Sequence, residues 1–133
     1  MVGKTVRDVM MPEPWTIDAS LSIQEAAHVM RAWDAREVLV TEDGELRGLL
    51  TDHDIIVLAI ASGRDPSALL AGECADSELH KVAADDSTAH AVAYMRRHGL
   101  RRLPVVDGDQ LVGTVWIADL AIATSDLTPT HAS

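Results

Sequence analysis

Gly48-Leu49-Leu50-Thr51-Asp52-His53-Asp54-Ile55 and Gly113-Thr114-Val115-Trp116-Ile117-Ala118-Asp119-Leu120 are two versions of one stretch, 65 positions apart (113 − 48 = 65). Held constant, that offset pairs Ser22 with Ser87, Ala26 with Ala91, Met30 with Met95 and Arg31 with Arg96. It also pairs Arg36 with Arg101, Val40 with Val105, Leu46 with Leu111 and Asp54 with Asp119. Similar residues fill other positions, such as Ile17 with Val82 and Ile55 with Leu120. No insertion is needed, so the chain holds two copies of one supersecondary unit.

Outward from this stretch each copy reads alike. A short helix, about Val6 to Met10 and again Ala68 to Cys74, leads to a brief strand near Thr16-Ile17 or Lys81-Val82. An amphipathic helix follows, with Ile23, Ala26, Ala27 and Met30 at helical spacing and Ala91, Val92 and Met95 in its twin. Ser20 and Ser22, or Asp85 and Ser87, are its candidate N-caps. Next comes a hairpin: Val38-Leu39-Val40, a turn at Glu42-Asp43-Gly44, then Leu46 to Leu50. Its twin is Leu103 to Val106, a turn at Asp107-Gly108-Asp109, then Leu111 to Val115, and Asp-Gly between apolar runs is a strong hairpin signal. A last helix starts after Thr51 or Trp116. The expected division is therefore 5–62 and 68–126 for the copies and 63–67 for a linker of turn formers, with 127–133 as a disordered tail lacking apolar periodicity.

This β-α-β-β-α unit in tandem resembles the CBS-domain family, over nearly the whole chain. The resemblance is carried by Val6-Arg7-Asp8-Val9-Met10, by Gly48 to Ile55, by Arg101-Arg102-Leu103-Pro104-Val105-Val106 and by Gly113 to Leu120. It implies an α/β fold (α+β under some schemes) whose repeats pack through their sheets about a pseudo-twofold axis, forming a Bateman module. It also implies two clefts, each able to hold an adenosine-containing ligand such as AMP or ATP, and dimerisation into a flat disc. Each cleft would take a Gly-x-x-Thr-x-x-Asp segment from one repeat, and the first-strand region and Arg-x-Pro strand from the other.

Composition bounds the function classes. The chain has 133 residues and a formal net charge of −10, which disfavours nucleic acid and anionic membranes as general partners. With no Phe and one Tyr, its core must be aliphatic. No stretch reaches the ~18–20 apolar residues of a membrane span. The amino terminus lacks an apolar signal core, and Cys74 is the only cysteine, so a cytoplasmic location is expected. Cys74 itself reads as a small buried hydrophobe or as an intersubunit disulfide partner.

Thr51 and Asp54 have two readings. As a ligand site, the Asp54 carboxylate would accept from a ribose diol while the helix start offers amides and a favourable dipole to phosphate. As local structure, Thr51-Asp52-His53-Asp54 is a capping box with Asp in place of Glu. Asp119 persists where the capping Thr has become Trp116, which points to a role beyond the cap. Arg96, Arg97, Arg101 and Arg102 cluster; the first two suit a solvated helix end, whereas Arg102 lies on the strand beside the turn. The resemblance brings Lys81, Arg102 and Pro104 to the cleft of Thr51 and Asp54. The second cleft would comprise Thr16, Glu37, Leu39, Trp116 and Asp119, and it departs from the pattern twice: Trp116 stands where a small hydroxyl residue is expected, and Glu37 and Leu39 occupy the positions matching Arg102 and Pro104. A carboxylate in Glu37's place repels an anionic ligand by roughly 1–4 kcal/mol at 4 Å, depending on effective dielectric. Trp116 either fills the space or stacks on a base. One working and one impaired cleft are expected.

The six histidines lack metal-ligand spacing, so no metal is expected, and no cofactor is required. Trp15 and Trp33 read as packing or interface residues. No P-loop or GxGxxG is present, and no Ser/His/Asp arrangement can be argued from spacing. The resemblance implies units that accompany catalytic domains, and none is read here, so an enzyme is disfavoured against two other classes. These are a nucleotide-responsive regulatory module, with a regulated protein partner, and a ligand-free interaction protein.

Overall fold

Two tight turns set the hairpins around which the chain is built. Asp43 and Gly44 both have positive φ, 54° and 81°, the type I′ geometry whose twist suits a two-residue loop. In the twin loop only Gly108 is left-handed, with φ 63°, as in type II′. The computed structural model describes residues 4–12 and 15–126, and the expected tail 127–133 lies outside them. The described residues form two compact units of mixed α/β structure: a first of 15–79, and a second joining 4–12 to 80–126.

In the first unit, β1 (Thr16–Asp18) runs parallel to β2 (Glu37–Glu42), which pairs antiparallel with β3 (Glu45–Thr51). The helix α1 (Ile23–Trp33) buries Ile23, Ala26 and Met30 against this sheet, and the Ser22 hydroxyl accepts the Glu25 amide at 3.1 Å. After β3 comes α2 (Asp52–Ile55), which widens into a π-helix over Ile56–Ala61. The last element is α3 (Ala71–Cys74), four residues rather than the seven expected. Its start is shortened because Leu69 and Leu70 are drawn into backbone pairing with the first repeat: Ile23 N donates to Leu69 O at 2.9 Å, and Ala71 N to Leu21 O at 2.7 Å.

The second unit repeats the plan: β4 (Val82–Ala83), α4 (Thr88–His98), β5 (Arg102–Asp107), β6 (Gln110–Trp116) and α5 (Ile117–Asp126). Ser87 caps α4 through the His90 amide at 3.1 Å, so the caps are Ser22 and Ser87; Ser20 and Asp85 serve elsewhere. Both hairpins carry a register shift at matching places, Val40/Thr41 and Val105/Val106.

The leading segments are exchanged. Residues 4–12 precede the first repeat but pack on the second, where Val6 is wholly buried among Val82, Val105 and Leu120. Met11 and Thr114 exchange backbone hydrogen bonds of 2.8 and 3.0 Å. In the first unit Asp76 and Leu49, the equivalent positions, do the same at 2.8 and 3.0 Å. The repeated glycines of the opening motif make room for this crossing. A Cβ on Gly48 would lie 2.7 Å from the Asp76 carbonyl oxygen, and one on Gly113 would lie 2.6 Å from that of Met11. The repeats are thus consecutive in sequence, while each compact body borrows its first segment from ahead of the other.

Candidate functional site

Thr51 ends β3 in extended conformation, and the chain turns there into α2. The Asp54 amide donates to Thr51 Oγ1 at 3.1 Å, and the Thr51 amide donates to Asp54 Oδ2 at 3.0 Å, so the capping box is formed in full. Both side chains are half-buried. Asp54 Oδ1 has no hydrogen-bond partner among the described residues. The carboxylate is therefore oriented by one oxygen and can accept from a ligand with the other.

The helix start offers less to a phosphate than its sequence implies. The Asp52 amide already donates to the Arg36 carbonyl at 2.8 Å, and the Asp54 amide is held by Thr51. Of the first three amides, only that of His53 has no acceptor among the described residues. Phosphate binding at this position needs cationic side chains.

Glu37 faces Thr51 across the β2–β3 ladder, and Thr16 faces Leu39 across β1–β2. Four predicted residues of the first repeat thus share one end of one small sheet, with Glu37's carboxylate beside the Thr51 turn. Lys81, Arg102, Pro104, Trp116 and Asp119 all belong to the second unit. Lys81 is exposed and stands just ahead of β4. Pro104 sits opposite Thr114, one residue before the β4 ladder begins at Val105, so its missing amide costs no sheet bond there. Asp119 is exposed in the first turn of α5.

Arg102 and Trp116 are cross-strand neighbours, and the guanidinium lies over the indole at 5.3 Å from the ring centroid. At exposed sites such stacking is worth about 0.5–1 kcal/mol. Sequence reasoning assigned these residues to different clefts; within the second unit they are in contact, so Trp116 orients Arg102. Glu37 and Thr51 occupy the equivalent ladder positions in the first repeat.

Other features lie outside the predicted site residues. Trp15, 62% exposed, packs against Trp33 with centroids 4.9 Å apart and planes tilted by 53°, and of the two only Trp33 also packs on the core. Arg7 binds Asp107 at 3.2 Å and Asp85 at 3.5 Å, pinning the leading segment to the second repeat. His80, Tyr94 and His98 gather their rings; the helical spacing of Tyr94 and His98 was visible, the approach of His80 was not. Cys74 is a partly buried free thiol against the first core, and burial, then Glu73, raises its pKa. An open hollow of about 470 Å³ in the first unit is bordered by Ser20, Glu42, Arg47 and Glu73 and includes none of the predicted site residues; Arg47 there is already bound to Glu42 at 3.2 Å. Among the described residues no three His, Cys, Asp or Glu side chains converge as metal ligands, and no helix is long and apolar enough to cross a membrane.

The CBS-domain family profile matches residues 6–60 and 71–124. CBS domain-containing protein YhcV of Bacillus subtilis is 37% identical over 118 residues, covering 89% of this chain and 84% of that one. Hypoxic response protein 1 of Mycobacterium tuberculosis is 35% identical over 118 residues, covering 88% and 82%. A crystal structure of Hypoxic Response Protein I with two coordinated zinc ions matches with a TM-score of 0.76 at 34% identity, covering 90% of this chain and 98% of that one. CBSX2 in complex with AMP matches in fold, with a TM-score of 0.73 at 22% identity over 94% of this chain and 98% of its own.

Proposed function

The chain belongs to the CBS-domain family, and from its pair of repeats we propose a regulatory module that senses an adenosine-containing ligand such as AMP or ATP. Asp54 carries the proposal: it is half-buried, anchored through Oδ2, and presents Oδ1 without a partner among the described residues. That is the acceptor a ribose diol requires. In this reading Thr51 shapes the turn, while Lys81 and Arg102 supply the charge for phosphate that the largely occupied helix start does not. The same reading counts Pro104 among the residues that contact the ligand.

The second cleft, with Thr16, Glu37, Leu39, Trp116 and Asp119, would be impaired, because Glu37 puts a carboxylate where the first has a guanidinium. Binding rather than turnover is the output, passed to a regulated protein partner, and the module acts as a homodimer in the cytoplasm. That CBSX2 was crystallised with AMP supports the capacity of this fold for such a ligand in that protein.

A second reading is favoured by exposed apolar side chains on the repeat-closing helices, Ile60 at 76% and Ile122 at 63%. Here the chain binds no nucleotide and works through dimerisation or partner docking. Thermal-shift measurement with AMP, ATP, NAD and adenosyl-methionine separates the two. A ligand that binds only the folded form raises the melting temperature in proportion to ln(1 + [L]/Kd). A rise with at least one adenosine ligand supports sensing. No rise with any at millimolar concentration leaves the docking function.

A further inference from the structure

We propose that His80 and His98 form a surface site for a late first-row divalent cation, with Tyr94 as the residue that orients it. His98 ends α4 and Tyr94 lies one turn earlier on the same helix face, while His80 comes in from the segment leading to β4. The two imidazole centroids are 4.7 Å apart, and the phenol ring is 4.5 Å from that of His98. The Tyr94 hydroxyl is hydrogen-bonded to His80 Nδ1.

With the ring in the tautomer whose Nδ1–H donates to the phenol oxygen, that bond fixes the imidazole and leaves the Nε2 lone pair to the metal, as an outer partner does for a ligating histidine. Imidazole pairs suit Cu(II), Ni(II) and Zn(II), with Cu(II) bound most tightly of the three. Both imidazoles are exposed, so water completes the coordination, consistent with the absence of a third His, Cys, Asp or Glu ligand among the described residues. The net charge of −10 draws cations to the protein. His90, one turn before Tyr94, faces Asp86 at 3.7 Å and stands outside the group. Spacing alone does not reveal the site, because β4 and α4 bring together histidines that are distant in sequence.

The test is isothermal titration of the full chain with CuCl2, and then ZnCl2, in a His131→Gln background that removes a histidine outside the described residues. One equivalent of Cu(II) is expected at micromolar affinity. His80→Gln or His98→Gln should weaken it at least ~10-fold, and Tyr94→Phe by a similar factor through loss of the outer hydrogen bond. His90→Gln should leave it unchanged. Electron paramagnetic resonance of the Cu(II) complex, which needs no variant, should show coupling to imidazole nitrogen. A spectrum without nitrogen coupling, or titrations unaltered by the joint loss of His80 and His98, would overturn the proposal.

Discussion

Gly48→Ala tests the exchanged segments most simply. The new methyl would stand 2.7 Å from the Asp76 carbonyl oxygen and 2.9 Å from the Ala75 Cβ, neither of which can rotate away. The crossing segment must therefore back off, stretching the two Leu49–Asp76 hydrogen bonds of 3.0 and 2.8 Å. Overpacking costs about 1–3 kcal/mol, and each weakened backbone bond contributes up to about 1 kcal/mol more. A loss of about 2–4 kcal/mol is expected, read as a lower urea midpoint at constant m-value in far-UV circular dichroism. Ala75→Gly in the same chain removes the second contact and should recover part of the loss. Gly113→Ala meets the Met11 carbonyl at 2.6 Å and should behave alike. A Gly48→Ala chain within 0.5 kcal/mol of wild type, on the scale of ordinary surface substitutions, would refute the close crossing.

Three further outcomes follow from the same geometry. Glu37→Arg with Trp116→Thr should create a second nucleotide-binding event by calorimetry, although losing the indole under Arg102 should weaken the first site several-fold; a single unchanged isotherm counts against the impaired-cleft reading. Thr88 is wholly buried, its hydroxyl without a partner among the described residues, so Thr88→Val should stabilise by up to about 1 kcal/mol in urea melts. The Cys74 thiol has a raised pKa, so its contribution to stability is full below the unfolded thiol's pKa and is lost as pH rises through the folded one. Alkaline melts should show that decline in wild type and not in Cys74→Ala, and native alkylation at neutral pH should be slower than in denatured protein.

Local signals were readable. The Asp-Gly hairpins and the serine caps depend on residues near one another in sequence, the 65-residue offset shows each of them twice, and the folded chain uses them as expected. The exchange was not readable, because duplication makes it ambiguous: Val6 and Ala71 are equivalent, and either could fill the same hole in either body. Which body each segment enters is decided by tertiary reach, and its only trace was the pair of glycines at 48 and 113, identical for a reason the pattern does not state. The candidate site divides the same way. Thr51 and Asp54 form the local box their spacing encodes, whereas the contact of Arg102 with Trp116 depends on strand register. The helix start reads as open to phosphate in the sequence, but the Arg36 carbonyl, sixteen residues upstream, occupies the Asp52 amide.

Calorimetric titration of AMP and ATP into wild type and Asp54→Asn bears most directly on nucleotide sensing. Asn keeps a carbonyl oxygen for the Thr51 amide, so the cap and the fold persist while the charged acceptor is lost. One site per chain is expected for wild type, weakened about 10- to 100-fold in the variant, as for a charge-assisted hydrogen bond of about 1.5–3 kcal/mol. Equal affinity in the two proteins would contradict the role given to Asp54, and no heat from either nucleotide at millimolar concentration would contradict the sensing of adenine nucleotides itself.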